Sequence, residues 1–217
     1  MKLMSYRSCI IILILAVLPQ VGHAQETDDR DNFGTWTDLI IRKDINNWHI
    51  GGYIEYCTID RFNDEGIKSD ELIVSPIVGY NILDWLRVQF QIDFQYCFNQ
   101  GMYLRYMPEV TFHWKASDFR FSFRTRLQLA QQMRDGELSP IMRNRFKVEY
   151  IIPKTPVSLH VAAEPYWLKN LTKARYYAGA AFQVHKNLSI TTEYIRYEYY
   201  TPSKDQNVFS MVLYVRL

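Results

Sequence analysis

From residue 86 to 98 every second side chain is apolar. Leu86, Val88, Phe90, Ile92, Phe94, Tyr96 and Phe98 alternate with Arg87, Gln89, Gln91, Asp93 and Gln95. On a β-strand successive side chains point to opposite faces, so this stretch has one apolar and one polar face. The next stretch repeats the pattern, with Met102, Leu104, Tyr106, Pro108, Val110, Phe112 and Trp114 opposed to Tyr103, Arg105, Met107, Glu109, Thr111 and His113. A third sets Phe119, Phe121, Phe123, Thr125, Leu127 and Leu129 against Arg120, Ser122, Arg124, Arg126 and Gln128. Strands with looser alternation are predicted at 34–43, 47–58, 71–81, 141–152, 157–168, 174–185, 188–200 and 207–217. No window carries a helical period, so the chain is expected to be all-β.

The links between these stretches alternate in length. Those at 43–47, 81–84, 115–118, 153–156 and 185–187 are tight, and the intervening ones are generally longer or more polar. Tight turns at one end and longer loops at the other predict a closed antiparallel up-and-down transmembrane β-barrel of about 10 to 12 strands. Eleven stretches are counted, whereas single-chain bacterial barrels have even strand numbers. The expectation is therefore that 34–43 stands outside the ladder or that one further strand exists.

A soluble sandwich or lipocalin-like barrel would alternate too, with its apolar face inside. Two features favour an apolar face turned to lipid. The stretches run to about 12–15 residues, longer than the usual five or six of soluble sheets, and a tilted bilayer crossing needs about 9–11. The chain also ends within a strand whose face carries Phe209, Met211, Leu213, Val215 and Leu217, which suits recognition by the outer-membrane assembly machinery.

Export is the expectation at the other terminus. Lys2 and Arg7 precede the apolar run Cys9–Leu18, and Gly22-His23-Ala24 puts small residues where a signal peptidase reads. Residues 1–24 are read as a removed signal peptide, 25–33 as a short polar segment and 34–217 as the barrel. Cleavage removes two of the 25 Lys and Arg and none of the 23 Asp and Glu, leaving a neutral mature chain. A neutral chain offers no global field for nucleic acid. The expected location is the outer membrane of a Gram-negative cell, with its lipids as partners.

FGTWTDLIIRKD (33–44), RNRFKVEY (143–150), RYYAGAAFQVHKNLSITTEYIRYEY (175–199) and the VLYVRL ending resemble the outer-membrane barrel family known as domain of unknown function 2490, frequent in Bacteroidota. The resemblance covers nearly all of the mature chain. It implies fold and location, and no activity.

If the apolar face meets lipid, the polar face fills the lumen. Arg105, Glu109, Arg120, Arg124, Arg126, Arg143, Arg145 and Glu149 are the expected lumenal charge cluster, sharing the interior with Asp93, Glu164 and Glu193. Buried charges persist when paired, so a mutually paired plug is expected, with an anion-selective constriction as the other reading. His49, His113, His160 and His185 also have inward parity, but no spacing brings three metal ligands to one level, and neither metal nor cofactor is expected. Ser158, His160 and Glu164 on one face supply the residue types of a hydrolase acting on envelope lipids, the enzymatic alternative to a structural barrel or narrow channel. Cys57 and Cys97 are expected to face inward unbridged. One strand between them sets their backbones about 10 Å apart, beyond the roughly 7 Å a disulfide spans.

Overall fold

Each alternating stretch becomes a strand in a computed structural model, which describes residues 32–59, 69–98, 100–134, 136–200 and 205–217. Among these residues the strands are β1 (Asn32–Ile45), β2 (Trp48–Ile59), β3 (Ser69–Leu83), β4 (Leu86–Cys97), β5 (Gly101–Ala116), β6 (Phe119–Gln132), β7 (Leu138–Ile151), β8 (Val157–Trp167), β9 (Leu171–His185), β10 (Leu188–Tyr199) and β11 (Gln206–Arg216). Together they form one closed barrel. The expected signal peptide, and the polar segment up to residue 31, lie outside the described residues.

The closure corrects two expectations. The stretch read as 34–43 is neither outside the ladder nor short of a partner: β1 pairs with β11 in parallel, from Asn32↔Gln206 to Arg42↔Arg216. The barrel is therefore eleven-stranded and mixed, not even-numbered and wholly antiparallel. The reason is geometric. In an up-and-down chain of odd strand number the first and last strands run the same way, so only a parallel ladder can join them. Parallel ladders are slightly weaker per residue, and side chains reinforce this one at its lower end. Asp44 accepts from Arg42 Nε at 2.7 Å and forms an ion pair with Arg216 Nη2 at 2.7 Å, tying β1 to β11. His49 on β2 lies between Asp44 and Asn81, donating through Nε2 to Asn81 Oδ1 on β3 at 2.7 Å.

Hairpin chemistry separates the two ends. Residues 46–47, 84–85, 117–118 and 186–187 are two-residue turns at one end. Asn46 and Ser117 have φ of 52° there, the left-handed conformation that tight hairpins require and that Asn adopts readily. The fifth link at that end, 152–156, has five residues, and at the other end nine residues separate β2 from β3 and six separate β10 from β11.

The pairing register sets the shape. A row of directly opposed residues leaves β4 at Cys97, crosses β1 at Trp36, β9 at Gly179 and β6 at Arg120, and returns to β4 at the level of residue 83. That stagger is 14 residues, 97 less 83, over the eleven strands. With a rise of about 3.3 Å per residue and a strand spacing of about 4.8 Å, it tilts the strands by about 40° and gives a backbone radius of about 11 Å.

Polarity is inverted relative to a soluble barrel. On β4, Gln91, Asp93 and Gln95 are 3%, 0% and 8% exposed, whereas Phe90 and Phe94 are 40% and 47% exposed on the outside. The outer surface carries rows of rings near both ends. Trp48 meets Tyr80, Trp114 stacks on Phe121 at 5.5 Å and Phe119 packs against Tyr150 at the short-turn end. Tyr96 packs on Phe98 at 5.1 Å at the long-loop end.

Candidate functional site

The lumen is built by the polar parity of every strand, and the register decides which polar residues meet. On β8, Glu164 is fully buried. It accepts from Arg124 of β6, from Arg143 Nε and Nη2 of β7 at 3.2 and 3.3 Å, and from the Tyr177 hydroxyl of β9 at 2.6 Å. Glu109 on β5 accepts from Arg126 Nε and Nη2 at 2.9 and 2.6 Å, and from Thr111 Oγ1 at 3.0 Å. Asp93 on β4 accepts from Ser75 at 2.5 Å and Gln91 at 2.6 Å, and pairs with Arg105 at 2.6 Å. Each carboxylate is thus surrounded by several donors, which is what keeps a charge tolerable away from water.

Toward the long-loop end the cations lie on rings. The Arg175 guanidinium sits 4.4 Å from the centre of the Tyr197 ring, 4.9 Å from Tyr166 and 5.0 Å from Trp36. Arg143 and Lys173 are 4.7 and 4.8 Å from the Tyr166 ring. Tyr177, Ile195, Tyr197 and Val208 form the buried cluster beside them. Cation–π attraction strengthens when both partners are desolvated, and Tyr166 and Tyr197 are only 2% and 3% exposed.

A cavity of ≈ 940 Å³ runs along the lumen, lined from Trp36, Arg143 and Arg175 down to Arg120, Thr155 and Pro156 at the short-turn end. Arg120 lines the lumen at its mouth, at the last inward level of β6, 55% exposed and 3.8 Å from Glu149. Arg145 departs from the paired plug. It faces the lumen, but among the described residues neither it nor Lys147 nor Arg87 has a carboxylate within 4.0 Å. Arg105, Glu109, Arg124, Arg126 and Arg143 each stand in an ion pair, and Glu149 receives the Ser158 hydroxyl at 2.6 Å as well as facing Arg120.

The histidines divide. His185 is exposed and His113 half-buried, whereas His49 and His160 are 6% and 4% exposed. His160 Nε2 donates to Glu193 Oε1 at 2.6 Å although β9 runs between their strands. Gly179 explains it. It is the residue opposite both, and a Cβ there would come within 3.0 Å of His160 Cε1 and 2.9 Å of Glu193 Cγ. Ser158, His160 and Glu164 consequently serve three different partners and do not assemble as a nucleophile, base and acid. Among the described residues no three His, Cys, Asp or Glu side chains gather as a metal site. Cys57 and Cys97 are free thiols on opposite sides of Glu71, at one level and one strand apart.

Sequence parity missed the ring-and-cation stack. Lys173, Arg175, Tyr177, Tyr197 and Trp36 all have inward parity, but the contacts among β8, β9 and β10 depend on register, and that with Trp36 on the parallel β1–β11 seam as well, neither of which leaves a local trace. The Lys-Ala-Arg-Tyr-Tyr run at 173–177, with two cations on one parity, was the available signal.

These features define a closed β-barrel with an apolar exterior and a polar, charge-filled lumen. A family model described as a protein of unknown function, DUF2490, matches residues 33–208, and the chain belongs to that family. Among curated proteins none matches this chain.

Proposed function

We propose that the protein is an outer-membrane β-barrel of a Gram-negative cell, exported by its N-terminal signal, with a charged lumen that is plugged toward the long loops and carries out no catalysis. The observation that supports this most strongly is the apolar exterior bounded by aromatic rows at both ends. Water would make such a surface costly over the whole barrel, whereas hydrocarbon makes it favourable. The dimensions agree. A strand of twelve residues such as β4, inclined at about 40°, rises roughly 30 Å, close to the thickness of the hydrocarbon core. A closed ladder also leaves no unpaired backbone edge in lipid. The partners that follow are membrane lipids around the wall and the assembly machinery at β11, whose outward face ends in Val215 and Leu217.

The plugged lumen rests on the donors and cations gathered around Asp93, Glu109 and Glu164 and on the rings beneath Arg143, Arg175 and Lys173. The absence of catalysis rests on the dispersal of Ser158, His160 and Glu164 among separate partners. Membrane fractionation together with planar-bilayer recording tests the reading. The folded protein is expected in the outer-membrane fraction, to migrate differently before and after boiling, and to give no steady conductance. Recovery in the soluble periplasm overturns the location, and stable conductance overturns the plug.

A further inference from the structure

Ten Lys or Arg side chains but six Asp or Glu side chains line the ≈ 940 Å³ cavity. Those on the upper wall have partners, as described above. Among the described residues Arg87, Arg145 and Lys147 have neither a carboxylate within 4.0 Å nor a ring beneath them, and the Nε atoms of Arg87 and Arg145, like those of Arg105, Arg124 and Arg175, are buried without an acceptor. A buried donor without an acceptor is destabilising. Arg145 also stands directly opposite Arg124 in the β6–β7 ladder, a like-charge pairing that opposes sheet formation. Arg87, Thr111, Arg124 and Arg145 occupy successive places in one row across β4 to β7, with Lys147 at the next inward position of β7. In a barrel of about 11 Å radius, long side chains directed inward from this arc converge.

The facing wall has the opposite sign. Asp38 and Glu55 are directly opposed across β1–β2, and Asp38 Oδ1 is buried without a donor. An anion entering the cavity is repelled from β1–β2 and drawn to β4–β7. The closed wall bars entry from the bilayer side, so the route is the short-turn mouth beside Thr155 and Pro156.

We infer that the lower lumen is a receptor for a small soluble oxyanion of the phosphate or carboxylate kind, which enters by the short-turn mouth and is held by Arg87, Arg145 and Lys147. Guanidinium forks and an ammonium are the groups that recognise such oxygens. The bound anion would supply the acceptors these cations lack and relieve the Arg124–Arg145 repulsion. Because it binds the folded state, it should raise thermal stability with concentration.

The inference depends on the charged face being the lumen of a barrel, and the test separates the two. Purified full-length protein, in a detergent without phosphate, is titrated with inorganic phosphate and with citrate by calorimetry and by thermal unfolding, against chloride at equal ionic strength. Saturable binding is expected for at least one oxyanion and not for chloride. Arg145→Gln and Lys147→Gln are each expected to weaken it at least tenfold, and Arg134→Gln, at an exposed turn of the other end, to leave it unchanged. Without oxyanion, Arg145→Gln should melt higher than the parent chain, since it removes a repelling charge. A bulky maleimide on Thr155→Cys should slow binding, and the same label on Glu137→Cys should not. Absence of saturable binding, or equal binding by the parent and both glutamine variants, overturns the site. Conductance of the same preparation is recorded in parallel. A conducting barrel with Arg145-dependent binding refutes the plug and keeps the site, whereas a silent barrel without binding does the reverse.

Discussion

At the long-loop end of the lumen Arg143, Arg175 and Lys173 lie over the rings of Tyr166, Tyr197 and Trp36, and Glu164 takes donors from three strands. At the short-turn end Arg120 stands half in solvent 3.8 Å from Glu149, and from mid-strand downward Arg145 and Lys147 face the cavity with no carboxylate of the described residues within 4.0 Å. Both regions use the same residue types at the same parity. What differs is the access of water, and with it the effective strength of every charge. Where rings and neighbouring strands crowd the lumen, an unmatched charge is costly, and the cations are held by carboxylates or lie on rings. Where a mouth admits water, charges persist with loose partners, and a ligand has something to compete for.

The largest expected effect tests the dry half. Glu164→Gln leaves Arg124 and Arg143 without their shared carboxylate and keeps the side-chain volume. Removing one partner of a buried ionic group costs about 3–5 kcal/mol. Urea unfolding in detergent is expected to show that loss with little dependence on added salt, since buried pairs are weakly screened. A shift below about 1 kcal/mol would mean that water already reaches Glu164 and that the two halves do not differ.

A smaller effect is expected where the two regions meet, at Gly179. The added Cβ of Gly179→Ala would collide with the Thr192 carbonyl oxygen and stand 2.9–3.0 Å from the His160–Glu193 pair. Overpacking of this kind costs typically about 1–3 kcal/mol. If the glycine serves mainly to let His160 reach Glu193, part of the loss should vanish in a background where His160→Ala has already removed the pair. Equal losses in both backgrounds would assign the cost to the Thr192 backbone contact alone.

The strands and their two faces were legible in the residues because a period of two is local: Arg124 and Arg126 declare their face from their neighbours on β6. The seam was not. Nothing in 32–45 or 206–216 distinguishes a parallel partner from an antiparallel one, and the even-number rule pointed away from it. Pairing within the lumen was legible only as a set of candidates. Parity puts Arg120, Arg124 and Arg145 on one interior, but depth along the strand separates a mouth from a core, and register decides that Glu164 meets Arg124 and Arg143 while Arg145 meets Arg124. Gly179 shows the limit most clearly, since its role is defined by residues 19 positions before it and 14 after it.

The smallest effect belongs to the wet mouth and completes the comparison. Arg120 and Glu149 are directly opposed on β6 and β7, yet their closest charged atoms are 3.8 Å apart and Arg120 is 55% exposed. Exposed pairs of this sort couple by about 0–1 kcal/mol. A double-mutant cycle of Arg120→Gln and Glu149→Gln is expected to give a coupling in that range, falling as salt is raised, because a charge within reach of solvent is screened over about 10 Å at 0.1 M. Glu149 has a second partner in Ser158, so Glu149→Gln alone should cost more than Arg120→Gln alone. The cycle removes that surplus, since it is common to both backgrounds. The same cycle on Arg124 and Glu164 should couple several-fold more strongly and hardly respond to salt. If the two cycles agree in size and in salt dependence, water reaches both regions alike, and the division of the lumen into a sealed half and an open half is wrong.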